Sequence, residues 1–154
     1  MVRLGKKKRW MSYSINKTAL VDSGFWIALL DKRDRYYEEA QQKAETLFHL
    51  HYIFPWPILY ETLRTRFVRR PLAVRKFETF LKRPNATYLE DSKYRMDALT
   101  ETLSDRPQGG RALSLVDNVL RMIIADTSVK VDYVFTFNAG DFVDVCKRRQ
   151  VEMI

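Results

Sequence analysis

A chain of 154 residues with 46% hydrophobic residues is long enough to bury one core without disulfides or metal staples. Its single cysteine, Cys146, cannot close an internal disulfide, and no stretch reaches the ~20 apolar residues that cross a bilayer. Composition therefore excludes a disulfide framework and a helical membrane span, and it points to a reducing cytoplasm. The net charge of +8 is concentrated at the start, where residues 1–17 carry Arg3, Lys6, Lys7, Lys8, Arg9 and Lys17 and no acid. That segment is too polar to pack and reads as a flexible basic arm, either a phosphate contact or a solubilising tail, or as residues ahead of a true start at Met11. It is no signal peptide, because the apolar segment after it is interrupted by Asp22 and again by Asp31-Lys32-Arg33-Asp34.

Residues 18–154 form the folded domain. Ala19-Leu20-Val21 is a short buried-strand run that stops on Asp22, turns through Ser23-Gly24 and enters a helix near Phe25. A strand ending this way sets a carboxylate at the carboxyl edge of an open α/β sheet, where such sheets bind ligands. Apolar residues at 37, 40, 44, 47 and 48 predict a helix over Tyr36–Leu50. Tyr52-Ile53-Phe54 reads as a second strand, closed by Pro55 and Pro57. Leu59, Leu63 and Phe67 make one stripe of a helix over Trp56–Arg69, with Glu61 off that stripe. Pro71 ends that helix or starts the next, Leu72–Leu81, and Thr87–Leu89 is a third strand.

A further helix follows over Lys93–Leu103, and Asp105–Arg111 is the clearest loop of the chain. Ser114–Asp126 is a strongly apolar helix, Tyr133–Thr136 a fourth strand and Phe137–Asp141 a turn. Asp141–Lys147 and Val151–Ile154 suggest a short helix and a last edge strand. Strands separated by helices predict a parallel sheet of four to five strands covered on both faces, a single three-layer α/β/α domain.

Four acids fall at telling places in this plan. Asp22 follows the first strand, Glu61 lies in the helix after the second, Asp117 sits in the first turn of the helix before the fourth, and Asp141 lies just past the fourth. Right-handed crossovers bring all four toward one sheet edge. Four carboxylates without lysine or arginine partners repel one another unless a hard divalent cation neutralises them, and Mg²⁺ or Mn²⁺ prefers such oxygen ligands. Each acid also has a plainer role. Asp22 or Ser23 can cap a helix, Ser114-x-x-Asp117 has the form of a capping box, Glu61 can face solvent, and Asp141 can close a turn.

The ordered set Val21-Asp22-Ser23, Glu61, Ser114-Leu115-Val116-Asp117 and Thr136-Phe137-Asn138-Ala139-Gly140-Asp141-Phe142 resembles the PIN-domain nucleases, over about residues 18–154. The resemblance implies metal-dependent hydrolysis of RNA phosphodiesters. By position, Asp22, Asp117 and Asp141 would hold Mg²⁺ or Mn²⁺, and Glu61 would serve the attacking water. Asn138 stands where many members have an acid or an asparagine. Ser23 and Thr136 would orient the acids by hydrogen bonds. Small stand-alone members are often toxins held by an antitoxin protein, and often homodimers; others process RNA. A catalytically silent module that binds RNA or protein is the alternative.

Arg64, Arg66, Arg69 and Arg70, with Arg75, Lys76, Lys82 and Arg83, make residues 64–83 strongly basic, suited to phosphate contacts or to a solvated helix face. Phe25, Trp26, Tyr36, Tyr37, Phe77 and Phe80 are numerous enough to stack on bases, but their spacing assigns most of them to the core. His49 and His51 form a pair with no matching third ligand. A phosphatase of the haloacid-dehalogenase type is disfavoured, because the second acid it would need at position 24 is glycine.

Overall fold

Ala19, Leu20 and Val21 are almost completely buried, as a central strand covered on both faces must be. This strand, β1 (Thr18–Val21), pairs in parallel with β2 (His51–Pro55) on one side and β4 (Tyr133–Phe135) on the other. β3 (Ala86–Leu89) and β5 (Glu152–Met153) form the edges, so the sheet order is β3-β2-β1-β4-β5, all parallel. The computed structural model describes residues 16–104 and 111–154. The basic arm, apart from Asn16 and Lys17, and the loop residues 105–110 lie outside the described residues.

Helices α1 (Ser23–Leu30) and α2 (Tyr37–Leu47) carry the chain from β1 to β2. Helices α3 (Trp56–Thr62), α4 (Thr65–Val68) and α5 (Pro71–Leu81) carry it on to β3. α6 (Arg95–Thr102) and α7 (Leu115–Ala125) return to β4, and α8 (Val143–Arg149) leads to β5. Right-handed crossovers place the first group on one sheet face and the second on the other. The packing agrees, for α1 touches α2 and α5 while α7 touches α6 and α8. α3 touches both α1 and α7, so it bridges the two layers at the carboxyl edge.

The larger core lies between the sheet and α1 and α5. Trp26 stands at its centre, with the rings of Tyr52, Phe54, Phe77 and Phe80 at 5.0–6.1 Å from it. Phe25, Trp26, Phe77 and Phe80 are buried, which makes them core residues rather than base-stacking surfaces.

Two local expectations change. The helix expected over Trp56–Arg69 is broken at Leu63-Arg64, where Arg64 is extended (ψ 165°). A continuous helix would set Thr62 and Phe67 roughly 140° apart, on different faces. Both are buried, so the chain reorients to point both inward and leaves Leu63 half exposed. The turn after β1 is not made by glycine either. Asp22 itself is the extended N-cap, Gly24 is already helical, and a Cβ there would meet nothing within 4 Å. Pro71 occupies the first position of α5, where its missing N–H costs nothing.

Candidate active site

In an open α/β sheet the crevice forms where strand order reverses, outside the carboxyl ends. Here that point lies between β1 and β4, the neighbours from which the chain runs out in opposite directions. The Asp22 N–H donates to the Phe135 carbonyl at 3.0 Å, tying the two strand ends together. Thr136 Oγ1 donates to Asp22 Oδ2 at 2.9 Å and accepts the Asn138 N–H at 2.9 Å, so its proton is directed at the carboxylate. Asp22 caps α1 by position only; its side chain makes no capping hydrogen bond and is engaged by Thr136 instead.

Ser23, the first residue of α1, donates to Glu61 Oε2 at 2.6 Å and lies 3.5 Å from Asp22 Oδ1. One hydroxyl has one proton, so the short bond to Glu61 takes it. α3 therefore reaches the crevice through Ser23, and Asp22 and Glu61 share a neighbourhood. Asp22 is only 5% exposed. Burial, together with the charges of Asp117 and Glu61, pushes its pKa up to about 6, against the relief from Thr136 and the Ser23 backbone. No ion pair reaches Asp22, Glu61 or Asp117 among the described residues.

Asp117 is half-buried in the first turn of α7, whose N-terminus faces the carboxyl edge. Ser114 caps that helix: Asp117 N–H donates to Ser114 Oγ at 3.1 Å, and the Ser114 N–H and hydroxyl donate to Asp117 Oδ2 at 3.2 and 2.8 Å. The capping box and the electrostatic effect on Asp22 coexist, since only one carboxylate oxygen is used by the cap.

Asp141 behaves differently from the expectation of four unpaired acids. It ends a single 3-10 turn, Ala139–Asp141, and its carboxylate is paired with Arg111 at 3.1 Å. The Arg111 guanidinium lies against Gly140, filling the space a Cβ would take. Arg121, from the middle of α7, donates to the Asp141 carbonyl at 2.6 Å and clasps Asp144 with two bonds of 2.6 and 2.7 Å. Asn138 is exposed and contributes its N–H to Thr136.

Arg111 and Arg121 are thus the residues that reading the sequence left out. Arg121 had a signal, for it is the one charged residue in the run Val119–Ala125. Such a residue in an apolar helix calls for a buried partner. Arg111 had none, because its partner is thirty residues on in a different element. Among the basic residues proposed for RNA, Arg64, Arg66 and Arg69 are exposed, whereas Arg70 is tied to Asp31. His51 starts β2, so the histidine pair lies at the amino edge, opposite this crevice. Cys146 is buried and its thiol is pushed up to about 11, which leaves it inert as a nucleophile. Beside Glu61 runs an apolar groove of about 580 Å³ between α3, α6 and α7, with Tyr60 71% and Met96 70% exposed on its walls.

The chain matches no protein-family model and no curated protein. It is similar to a solved structure, the crystal structure of VapBC2 from Rickettsia felis bound to a DNA fragment from their promoter. The identity is 12% and the TM-score 0.55, over 89% of this chain and 97% of that one. The fold is three-layer α/β/α, PIN-like. In that fold the crevice has the donor chemistry a hard cation takes: carboxylate oxygens, one of them buried and repelled by its neighbours. Among the described residues no three His, Cys, Asp or Glu side chains are grouped closely enough to hold a metal ion by themselves. Mg²⁺ does not require such a group, since it is commonly held by one or two carboxylates with water and substrate phosphate. Among the described residues no helix is long and apolar enough to cross a membrane.

Proposed function

We propose that this chain is a Mg²⁺- or Mn²⁺-dependent endoribonuclease acting in the cytoplasm. The observation that carries the reading is the carboxylate of Asp22. It is buried at the switch point of the sheet, oriented by Thr136, and raised in pKa beside Asp117 and Glu61, with no cationic side chain paired to it among the described residues. A protein that keeps such a charge uncompensated loses stability for it, and a site that uses the charge is the physical reason to keep it.

Asp22 and Asp117 would hold the cation, and Asp141 would complete the set once Arg111 moves aside. When bound, Mg²⁺ or Mn²⁺ supplies a Lewis acid that eases deprotonation of water and neutralises charge on the scissile phosphate. Glu61, one oxygen occupied by the Ser23 hydroxyl, presents the other to the attacking water and takes its proton. The water oxygen attacks phosphorus in line, the bond to the 3′ oxygen breaks, that oxygen takes a proton from solvent, and the products are a 5′-phosphate and a 3′-hydroxyl. Arg64, Arg66 and Arg69 supply cationic surface for the strand.

A second element of the proposal is a protein partner. The likeness to a VapBC2 structure and the apolar groove that ends at Glu61 support a toxin whose antitoxin, or second copy in a homodimer, covers that groove.

The test is cleavage of a labelled structured RNA in Mg²⁺, Mn²⁺ or EDTA, with Asp22→Asn and Asp117→Asn alongside. Metal-dependent cutting lost in both variants is expected. No cutting in any metal, with RNA binding unchanged by the substitutions, would overturn the enzyme reading in favour of a silent binding module.

A further inference from the structure

The loop between α1 and α2 meets α4 around a cleft of about 310 Å³, with Ile27 and the buried Phe67 as its apolar floor. Five arginines line it against two aspartates. Both acids are already engaged within the protein. Asp31 is paired with Arg70 and accepts the Arg33 N–H at 3.0 Å, and Asp34 accepts the Tyr36 N–H at 2.9 Å. Arg33, Arg64 and Arg66 are exposed and have no ion pair among the described residues. Arg35 lies 4.5 Å over the ring of Tyr36, which stacks on Phe137 at 4.4 Å and 6°, which stacks in turn on Phe25. A ring face holds a guanidinium in place without neutralising it, so Arg35 is preorganised with its charge intact.

We infer that this cleft, made by Arg33 and Arg35 of the α1–α2 loop with Arg64 and Arg66 at the start of α4, binds a backbone phosphate of the RNA strand, away from the scissile one. Planar guanidiniums match phosphate oxygens two at a time, and four of them around one cleft fit a polyanion. The placement also fits a strand. Asp22 starts α1 and Asp31 ends it, so the cleft lies roughly 13 Å along that helix from the crevice. At ~3.4 Å per stacked nucleotide, that is a few nucleotides along a bound chain. The break at Leu63-Arg64 has a use here, because it turns Arg64 and Arg66 outward just after Glu61.

This inference rests on the ribonuclease reading but is separable from it by experiment. Binding of a short fluorescein-labelled oligouridylate is measured by anisotropy in EDTA, on the full chain carrying Asp22→Asn so that nothing is cut. Arg64→Ala/Arg66→Ala is expected to weaken binding about tenfold and to reduce the salt slope by roughly 0.7, the share of one single-strand phosphate contact. Arg33→Ala should weaken it about threefold. These side chains are exposed and carry no ion pair among the described residues, so the variants keep the fold. Lys147→Ala/Arg148→Ala, on the opposite sheet layer, removes the same formal charge and should change binding less than about twofold. Equal losses for both pairs, or no loss for either, overturn the cleft. So does a polyglutamate peptide that needs Arg64 and Arg66 while RNA does not, which would hand the cleft to an acidic protein segment. Cleavage by the unsubstituted chain separates the two claims. Binding that depends on the cleft, with no cutting in any metal, sinks the nuclease reading alone; cutting with affinity indifferent to the cleft sinks this inference alone.

Discussion

Asp22 and Asp141 follow the two strands that flank the switch point, yet they are treated in opposite ways. Asp22 is held by hydroxyls: Thr136 donates to it and Ser23 lies beside it. Asp141 is held by arginines, with Arg111 on its carboxylate and Arg121 on its carbonyl. A hydroxyl orients a carboxylate without cancelling its charge, whereas a guanidinium cancels it. The β1 end of the crevice is therefore electrostatically open, and the β4 end is closed by ion pairs. Residue type and topological position alone do not decide whether an acid is available for a cation; its partners do.

The largest expected effect falls on catalysis. Asp22→Asn should lower RNA cleavage by about a thousandfold, the scale of the several kcal/mol a cation contributes to the transition state. Arg111→Gln should leave the rate within about tenfold of the parent, as removal of an exposed pair weakly perturbs a site. Equal losses in a single-turnover assay would break the contrast between the two ends.

Stability comes next. Arg121 is buried beneath the β4 end, and Asp144 is held down to about 2 by it. Arg121→Met should cost about 3 kcal/mol in urea unfolding, because it strands the Asp141 carbonyl and the Asp144 carboxylate together. Asp144 is half exposed, so Asp144→Asn alone should cost less, about 1 kcal/mol.

The pH dependence of the two ends has opposite sign. Asp22 titrates at about 6 in the folded protein against an ordinary value of 3.8. Between those values the folded state holds a proton that the unfolded chain has lost, so this residue makes stability fall as pH rises toward 6 and level off above it. Asp144, depressed by Arg121, instead contributes stability that is present above its ordinary value and is lost as pH falls toward 2. In EDTA, Asp22→Asn should be about 3 kcal/mol more stable than the parent at pH 8 and no different at pH 3. A parent that is the more stable at pH 8 would mean Asp22 carries no burial penalty.

The smallest effect sharpens the comparison at its closed end. If Arg111 competes with a cation for Asp141, Arg111→Gln should tighten Mn²⁺ binding about threefold by calorimetry, in keeping with an ion pair whose arginine is exposed. Weaker binding in the variant would instead assign Arg111 a supporting part in the site.

Much of this molecule could be read along the chain. The run Ala19-Leu20-Val21 announces a strand buried on both faces, and it is one. Ser114-x-x-Asp117 announces a capping box, and both its bonds are made. Apolar spacing marked α2 and α5 to within a few residues. It failed at Leu63, because a stripe of Leu59, Leu63 and Phe67 records periodicity but not the demand that Thr62 also be buried. The expected freedom of Asp141 failed for a related reason. The arginine that pairs with it is remote in sequence, and nothing local signals the pairing.

By itself the sequence determined the alternation of strands and helices and a parallel sheet of four to five strands, and it set the expectation that Asp22, Glu61, Asp117 and Asp141 come toward one edge. Periodicity and strand-ending acids act over a few residues, and the handedness of crossovers does the rest. Only the tertiary structure decided that Ser23 joins Glu61 to Asp22, that Arg111 and Arg121 close the β4 end, and that Arg33, Arg35, Arg64 and Arg66 surround one cleft. Those are distance relations between separate elements, and a charge is spent or kept according to which neighbour the packing brings within a few ångströms of it.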